Sequence, residues 1–481
     1  MFEFSINLSD PSKDSYYFPI LVGVLTIILL INVIIMLIKE NKRIPGQDNN
    51  MSMDRTFQNN VTYPSILERK KNSLRSRYLV AYIITRSAMW AKAPYLYTLF
   101  MTVHKFTFAE IGDLYLVDAV AALIFGPITG QLADKHGRRK FCHCYNISIV
   151  INLLLRMEGS RPLAYLAQVV TGFGAGLICT TFEAWVVSES EKEFGGYKKE
   201  AERFRKRLFK DCTIYDNIVA ILTSFICAFA YSHWGIYAPF WISIFLTVLA
   251  SILIWILWDE NGSLIAKEKT WIQYKEASKE FKKPEVLCIG LIEGIANACL
   301  NIYLFSWTPI LKRSTPGGMN VGFIFTCMLL TMISGTKMFQ LLIGTLDFDN
   351  YMSIAGCVII QGILMFLTYA INGFLPRLIF LSLFNGVTGF YNPLNSIIKA
   401  SILIEKYRAL LMNLFRVPLN FYVIIVLLTL RLMNPFTVAF IVGVMCIVAF
   451  LIGLFLVIYR EIYGKIEDKD KVENILPIDI K

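Results

Sequence analysis

The chain has 481 residues, 56% of them hydrophobic and 17% charged, with a mean hydropathy of +0.54. Soluble domains are typically about 45–50% apolar and about 25% charged, so this balance excludes a water-soluble globule and indicates an integral membrane protein. The net charge of +11 sits in loops beside apolar runs, which excludes a basic nucleic-acid-binding domain and fits the charge bias that orients membrane proteins.

Residues 1–17 are polar, and Phe18–Ile38 is an apolar run long enough to cross a bilayer. No basic segment precedes it and no small-residue cleavage site follows, so it reads as an anchored helix rather than a removable signal. Its trailing side carries Lys39, Lys42 and Arg43, and bases resume at Arg69, Lys70, Lys71, Arg75 and Arg77. Residues 1–77 therefore read as an outside N-terminus, an extra transmembrane helix and a basic cytoplasmic linker with a disordered Asn-rich middle.

Twelve further spans are predicted, at 78–102, 108–132, 140–157, 162–188, 212–232, 236–258, 285–311, 319–343, 351–371, 374–398, 407–431 and 435–459. The first six make an N-terminal bundle over 78–258 and the last six a C-terminal bundle over 285–459. A cytoplasmic linker, 259–284, joins them, and 460–481 forms a cytoplasmic tail. Within the linker, Trp271–Phe281 has the amphipathic pattern of a surface-lying helix. In this thirteen-span topology the outside segments hold only Lys13, Lys105, Arg161, Lys312 and Arg313, while the inside segments hold the bulk of the bases. A span missed upstream would invert every later segment and destroy that asymmetry.

The loop between the second and third of these spans reads Gly130-Gln-Leu-Ala-Asp134-Lys-His-Gly137-Arg138-Arg139-Lys140. Gly130 lets one helix end close against another, and Gly137 permits the positive φ of a tight turn. Asp134 can accept from helix-start amides or pair with a base, while Arg138, Arg139 and Lys140 hold the turn in the cytoplasm. The matching loop of the second half, Gly344-Thr-Leu-Asp347-Phe-Asp349-Asn350, keeps a glycine and aspartates but no bases.

Charges inside spans are costly and mark a pathway or a pair. They are Arg86, Lys92, Asp113, Asp118, Glu183, Asp216, Glu293, Lys337, Lys399 and Arg416. Several fall on polar stripes at helical spacing: Glu293, Asn297 and Asn301; Asn385, Thr388, Asn392, Asn395 and Lys399; Asn413, Arg416 and Asn420. Three stripes in one half of a bundle imply a shared wet interior, although interhelical hydrogen bonding explains any single stripe. Gly172, Gly174 and Gly176 permit close packing, Pro309 and Pro418 can bend their helices, and Gly386, Gly389 and Pro393 make the tenth helix deformable. The ten cysteines lie mostly in apolar runs and read as buried hydrophobes. Cys142-His143-Cys144 has no second ligand pair in reach, so neither a metal nor a cofactor is expected. No nucleophile with a base and no phosphate-cradling loop points to an enzyme.

The loop from Gly130 to Lys140 resembles the loop between helices two and three of the major facilitator superfamily at every defining position. Ala93-Pro-Tyr-Leu-Tyr97, Phe182-Glu183-Ala184-Trp185, Trp307-Thr308-Pro309 and Asn413-x-Phe415-Arg416-Val417-Pro418 narrow the resemblance. From about Ala81 to Tyr459 the chain is similar to the molybdate-anion transporters, a branch with an extra N-terminal helix. The resemblance implies an all-α integral membrane protein of major facilitator fold, with two six-helix bundles plus one extra N-terminal transmembrane helix. It implies a secondary transporter that moves molybdate or a similar oxyanion by alternating access, as a monomer in the lipid bilayer of the plasma membrane, with an internal membrane as the alternative. No nucleic acid partner is implied.

On that resemblance Arg416 is the expected oxyanion contact, since a planar guanidinium can hold two oxygens at once. Lys92 adds positive potential, and Asn413, Asn392 and Asn297 line the substrate path. Glu183 and Glu293 are expected to couple transport to protons or to balance these bases. Gly130, Asp134, Gly137, Arg138 and Arg139 form the gating loop. The chain departs from the family pattern at Met89 and Asn297, where acidic residues are usual, and at Lys92, where glutamine is usual. Two lost carboxylates and an added base make the cavity more positive, which suits an anion and leaves room for a changed one. The alternatives are another oxyanion, an organic anion or a sugar, or a non-transporting receptor or scaffold.

Overall fold

The computed structural model describes residues 63–194, 197–261, 278–315, 319–342, 350–403, 408–429 and 434–473. The first apolar run, the Asn-rich linker, most of the Trp271–Phe281 stretch and residues 344–349 of the second loop lie outside them. Among the described residues the backbone forms twelve long α-helices and no strand. They are α1 (Tyr63–Lys92), α2 (Phe108–His136), α3 (Arg138–Glu158), α4 (Arg161–Glu193), α5 (Lys198–Trp234) and α6 (Ala238–Leu257). These are followed by α7 (Pro284–Ser314), α8 (Val321–Leu342), α9 (Asn350–Ala370), α10 (Phe374–Ile402), α11 (Arg408–Thr429) and α12 (Pro435–Glu473). Each overlaps one of the predicted spans from 78 to 459, and the predicted 78–102 continues past α1 in short 3-10, α and π turns over Ala93–Val103.

The helix boundaries follow local chemistry. Thr107 caps α2 with a reciprocal pair: its hydroxyl accepts from the Glu110 N–H at 3.2 Å, and Glu110 Oε2 accepts from the Thr107 N–H at 2.8 Å. Gly159, at φ +84°, ends α3, and Pro162 stands in the first turn of α4, where its missing N–H costs nothing. Pro239 and Pro284 open α6 and α7 in the same way. Pro309 and Pro393 lie inside α7 and α10, which nevertheless run unbroken.

Among the described residues eight helices, α4 to α10 and α12, are long and apolar enough to cross a membrane on length and composition alone. α1 and α3 are diluted by polar groups, Arg86 and Lys92 in α1 and Arg138 to Lys140, Asn146, Asn152 and Arg156 in α3. Outward faces are apolar, with Trp241, Phe245, Trp255, Phe229, Leu451 and Phe455 each more than half exposed. Leaving one such side chain in water rather than an apolar medium costs about 1.5–3 kcal/mol, so these faces belong in lipid.

The chain divides into two compact units. One holds the described residues before 262 together with 319–330. Its core is aromatic: the Trp185 and Trp258 rings stack at 4.0 Å, Tyr78 stacks on Trp258 at 5.7 Å, and Phe182 meets Trp258 edge-on. Both indoles are satisfied, Trp185 Nε1 donating to the Asp259 carbonyl at 2.8 Å and Trp258 Nε1 to that of Arg77 at 3.1 Å. α1 begins at Tyr63, well before its apolar run, because its basic end docks on acidic residues of α4 and α5. Lys71 pairs with Glu200 at 3.0 Å, Arg75 with Asp211 at 2.9 Å, and Arg77 with Glu193. The end of the predicted linker is therefore ordered helix.

The other unit holds the described residues 278–315 and those from Thr331 onward. α7 is its most buried span and packs against α10, α11 and α12. α8 and α10 touch backbone to backbone: a Cβ at Gly389 would fall 1.8 Å from the Met332 carbonyl oxygen, and one at Gly335 1.8 Å from that of Gly386. Thr336 and Thr331 then donate across the contact to the carbonyls of Gly389 and Ser382, each at 2.8 Å. The glycines that read as a deformable stretch of α10 are thus occupied in holding it against α8.

Candidate functional site

In the second unit, two of the predicted polar stripes meet. Glu293 and Asn297 lie one turn apart on α7, and Lys399 Nζ of α10 donates to Glu293 Oε1 at 2.7 Å. At the other end Asn385 Nδ2 donates to the Tyr303 hydroxyl, which donates to the Leu381 carbonyl at 3.2 Å. Between them Gln361 Nε2 of α9 donates to Thr388 Oγ1 at 2.9 Å. Asn297 is half-buried, and its carbonyl accepts from Asn301 Nδ2 at 2.8 Å. Asn392 is exposed, its carbonyl accepting from Ser396 Oγ at 2.9 Å. Asn413 and Arg416 lie in α11, with side chains outside the described residues.

The first unit holds two charge clusters. Arg86 of α1 grips Asp216 of α5 bidentately, with Nε to Oδ1 and Nη2 to Oδ2 both 2.6 Å, and Trp90 Nε1 adds a third bond to Oδ1 at 2.8 Å. The guanidinium lies 5.8 Å from the Trp90 ring centre. At the last residue of α1, Lys92 is half-buried within reach of the Arg156 charge, and Arg156 also feels Asp118. Arg156 is only 4% exposed; its Nη2 donates to Gln168 at 2.7 Å and Thr171 at 2.8 Å. Sequence reasoning passes over Arg156 because a base near a span end reads as loop-facing. The available signal is Asn152, one turn earlier on the same face. Glu183 is exposed on α4, beside buried Phe182 and Trp185.

The basic loop has a partner that its own sequence does not announce. Gly137 takes φ +112°, and the Glu260 carboxylate sits over the start of α3, accepting from the N–H groups of Arg139 at 3.0 Å and Lys140 at 3.2 Å. The Asn261 carbonyl accepts from the Arg138 N–H at 3.2 Å. A carboxylate at a helix N-terminus meets unpaired donors and the positive end of the dipole, which fixes this turn. Asn261 Nδ2 in turn donates to Glu189 Oε2 at 2.9 Å and to the Trp185 carbonyl at 3.1 Å. Gly130 and Asp134 lie in the last turns of α2, and their surroundings are outside the described residues.

At the first turns of α2 and α4, Arg161 Nε donates to Glu110 Oε1 at 2.8 Å. Among the described residues no cluster of three or more His, Cys, Asp or Glu side chains could hold a metal.

A family model described as sugar transporters with 12 TM matches residues 55–380. The molybdate-anion transporter of Takifugu rubripes is 24% identical over 393 residues, covering 74% of this chain and 79% of that protein. Its Danio rerio counterpart is 23% identical over 390 residues, covering 74% and 78%. Among solved structures, the nucleoside transporter NupG has the same fold at a TM-score of 0.61 and 13% identity, over 80% of this chain and 98% of that one. The peptide transporter POT in complex with sulfate aligns at a TM-score of 0.64 and 12% identity, over 82% and 95%. The chain is a multi-pass membrane protein of major facilitator fold, and it belongs to this twelve-span transporter family, with the molybdate-anion transporters among its relatives.

Proposed function

We propose that this protein is a secondary transporter that moves molybdate, a tetrahedral dianion, across the plasma membrane by alternating access. The similarity to molybdate-anion transporters over 74% of the chain carries the reading. The charges held within the membrane support it, because apolar spans retain such groups at a cost and for a use. Lys92 has no carboxylate partner among the described residues and is the proposed second basic group for the anion. Arg416 is the proposed bidentate contact, with Asn413, Asn392 and Asn297 as neutral donors, and Glu183 and Glu293 balance or couple the charge. The intact turn from Gly130 to Arg139, clasped by Glu260, is the proposed gating element.

Cells with little molybdate uptake of their own, expressing this chain or Arg416→Ala at matched surface level, test the assignment. Accumulated molybdenum at nanomolar supply should rise with the wild type, resist excess sulfate, and fall at least roughly tenfold in the variant, the loss of a charge-assisted bidentate contact. Uptake unchanged by the substitution removes Arg416 from the path. Uptake abolished by sulfate favours the second reading, a different small anion, which the exchanges at Met89, Lys92 and Asn297 also suit.

A further inference from the structure

A groove of about 550 Å³ runs between α3 and α6. Its lips are apolar and face outward, with Ile147, Ile151, Ile252 and Trp255 between 45% and 65% exposed. Such side chains belong in lipid, so the groove opens into the bilayer. Its floor is polar, made by His143 and Asn146 of α3 with Thr247 and Ser251 of α6. The Thr247 hydroxyl donates to the Ser243 carbonyl at 2.7 Å, and His143 Nδ1 shares a hydrogen bond with Ser251 Oγ at 2.8 Å. Asn146 is 2% exposed, and neither its Nδ2 nor its Oδ1 has a partner among the described residues. His143 Nε2 is unpartnered in the same way. Buried polar atoms left unpaired are costly, and hydrocarbon tails cannot relieve them.

These groups select a ligand by their chemistry. Asn146 needs a donor for its oxygen and an acceptor for its nitrogen, and a hydroxyl is both. His143 Nε2 serves as donor or acceptor, according to which way the bond to Ser251 runs. No Lys, Arg, Asp or Glu lines the groove, so a phosphate headgroup would find no counter-charge there. Depth argues the same way. Asn146 lies about 9 Å beyond residue 140, where the span begins, and so within the hydrocarbon. Every apolar lining residue except Trp255 is Val or Ile. Such β-branched side chains are stiff, and a fixed wall fits a rigid body better than a flexible chain.

We propose that this groove binds a sterol, a rigid neutral lipid whose single polar group is a hydroxyl. The hydroxyl donates to Asn146 Oδ1 and accepts from Asn146 Nδ2 or His143 Nε2. The ring system lies along Ile147, Ile151 and Ile252. The basic turn that starts α3 places this floor in the cytoplasmic leaflet. The site is independent of the transport reading, which stands whether or not a sterol binds.

Photolabelling of the full-length protein tests this, in phosphatidylcholine vesicles that carry a photoreactive cholesterol analogue. Wild-type labelling should map to α3 and α6 and fall with excess cholesterol. It should persist in excess diacylglycerol, and in excess of the ketone analogue of cholesterol, which cannot donate a hydrogen bond. Asn146→Leu should lower labelling roughly fivefold or more, as expected for one or two lost neutral hydrogen bonds. Ile151→Trp, which fills the groove from its lip and leaves the floor intact, should abolish labelling. Thermal melts give a second readout. Without cholesterol Asn146→Leu should melt at or above the wild type, because it removes an unpaired amide. Cholesterol should raise the melting temperature of the wild type and of neither variant. Labelling that maps elsewhere, or that survives in either variant, overturns the site. An Asn146→Leu protein less stable than the wild type shows that the amide is partnered and overturns it too. Equal displacement by diacylglycerol or by the ketone overturns the sterol as occupant.

Discussion

Asp216 accepts three hydrogen bonds, two from Arg86 and one from Trp90, and so neutralises a guanidinium within a membrane helix. Removing one partner of such a pair leaves the other uncompensated, whereas replacing both with apolar groups removes the problem. Asp216→Asn should therefore lower stability by about 3 kcal/mol or more, and the double change Arg86→Met with Asp216→Leu should recover most of that loss. Thermal melts in detergent check this; a double variant no more stable than Asp216→Asn would contradict it. Both charges are legible in the sequence, but their pairing is not. Periodicity fixes a residue's face on its own helix and leaves open which neighbour that face meets. The same limit hides the bond between Lys399 and Glu293, although the stripes that carry it can be read off directly.

Helices were the most legible elements here, because long apolar runs bounded by Pro, Gly and basic residues leave little choice of structure. What the glycines do inside them was less legible, since small residues at a helix crossing and at a hinge look alike in sequence. Gly389 lies in the crossing of α8 and α10, so Gly389→Ala must push Met332 aside and should cost about 1–3 kcal/mol of stability, the usual penalty for overpacking. Gly356→Ala on α9, where a Cβ meets nothing within 4 Å, is the control and should be neutral or mildly stabilising. Equal melting temperatures for the two variants would contradict the close crossing.

At the scale of the molecule, hydropathy and the asymmetry of the bases suffice for a twelve-helix membrane fold, because lipid demands that every spanning backbone satisfy itself. The Glu260 clasp on the basic turn was not legible, since its residues lie in a segment that reads only as a charged linker. The described residues form two compact units, each with its own half-buried charge pair, Arg86 with Asp216 and Lys399 with Glu293. A transporter of this fold that alternates access must exchange substrate across the membrane without a net gradient. Counterflow in proteoliposomes is the most direct measurement of that property. Vesicles containing the purified protein and loaded with unlabelled molybdate should take up labelled molybdate transiently above its equilibrium level, and protein-free vesicles should not. Well-folded protein that binds molybdate yet shows no counterflow would contradict transport and leave a receptor in a transporter's fold.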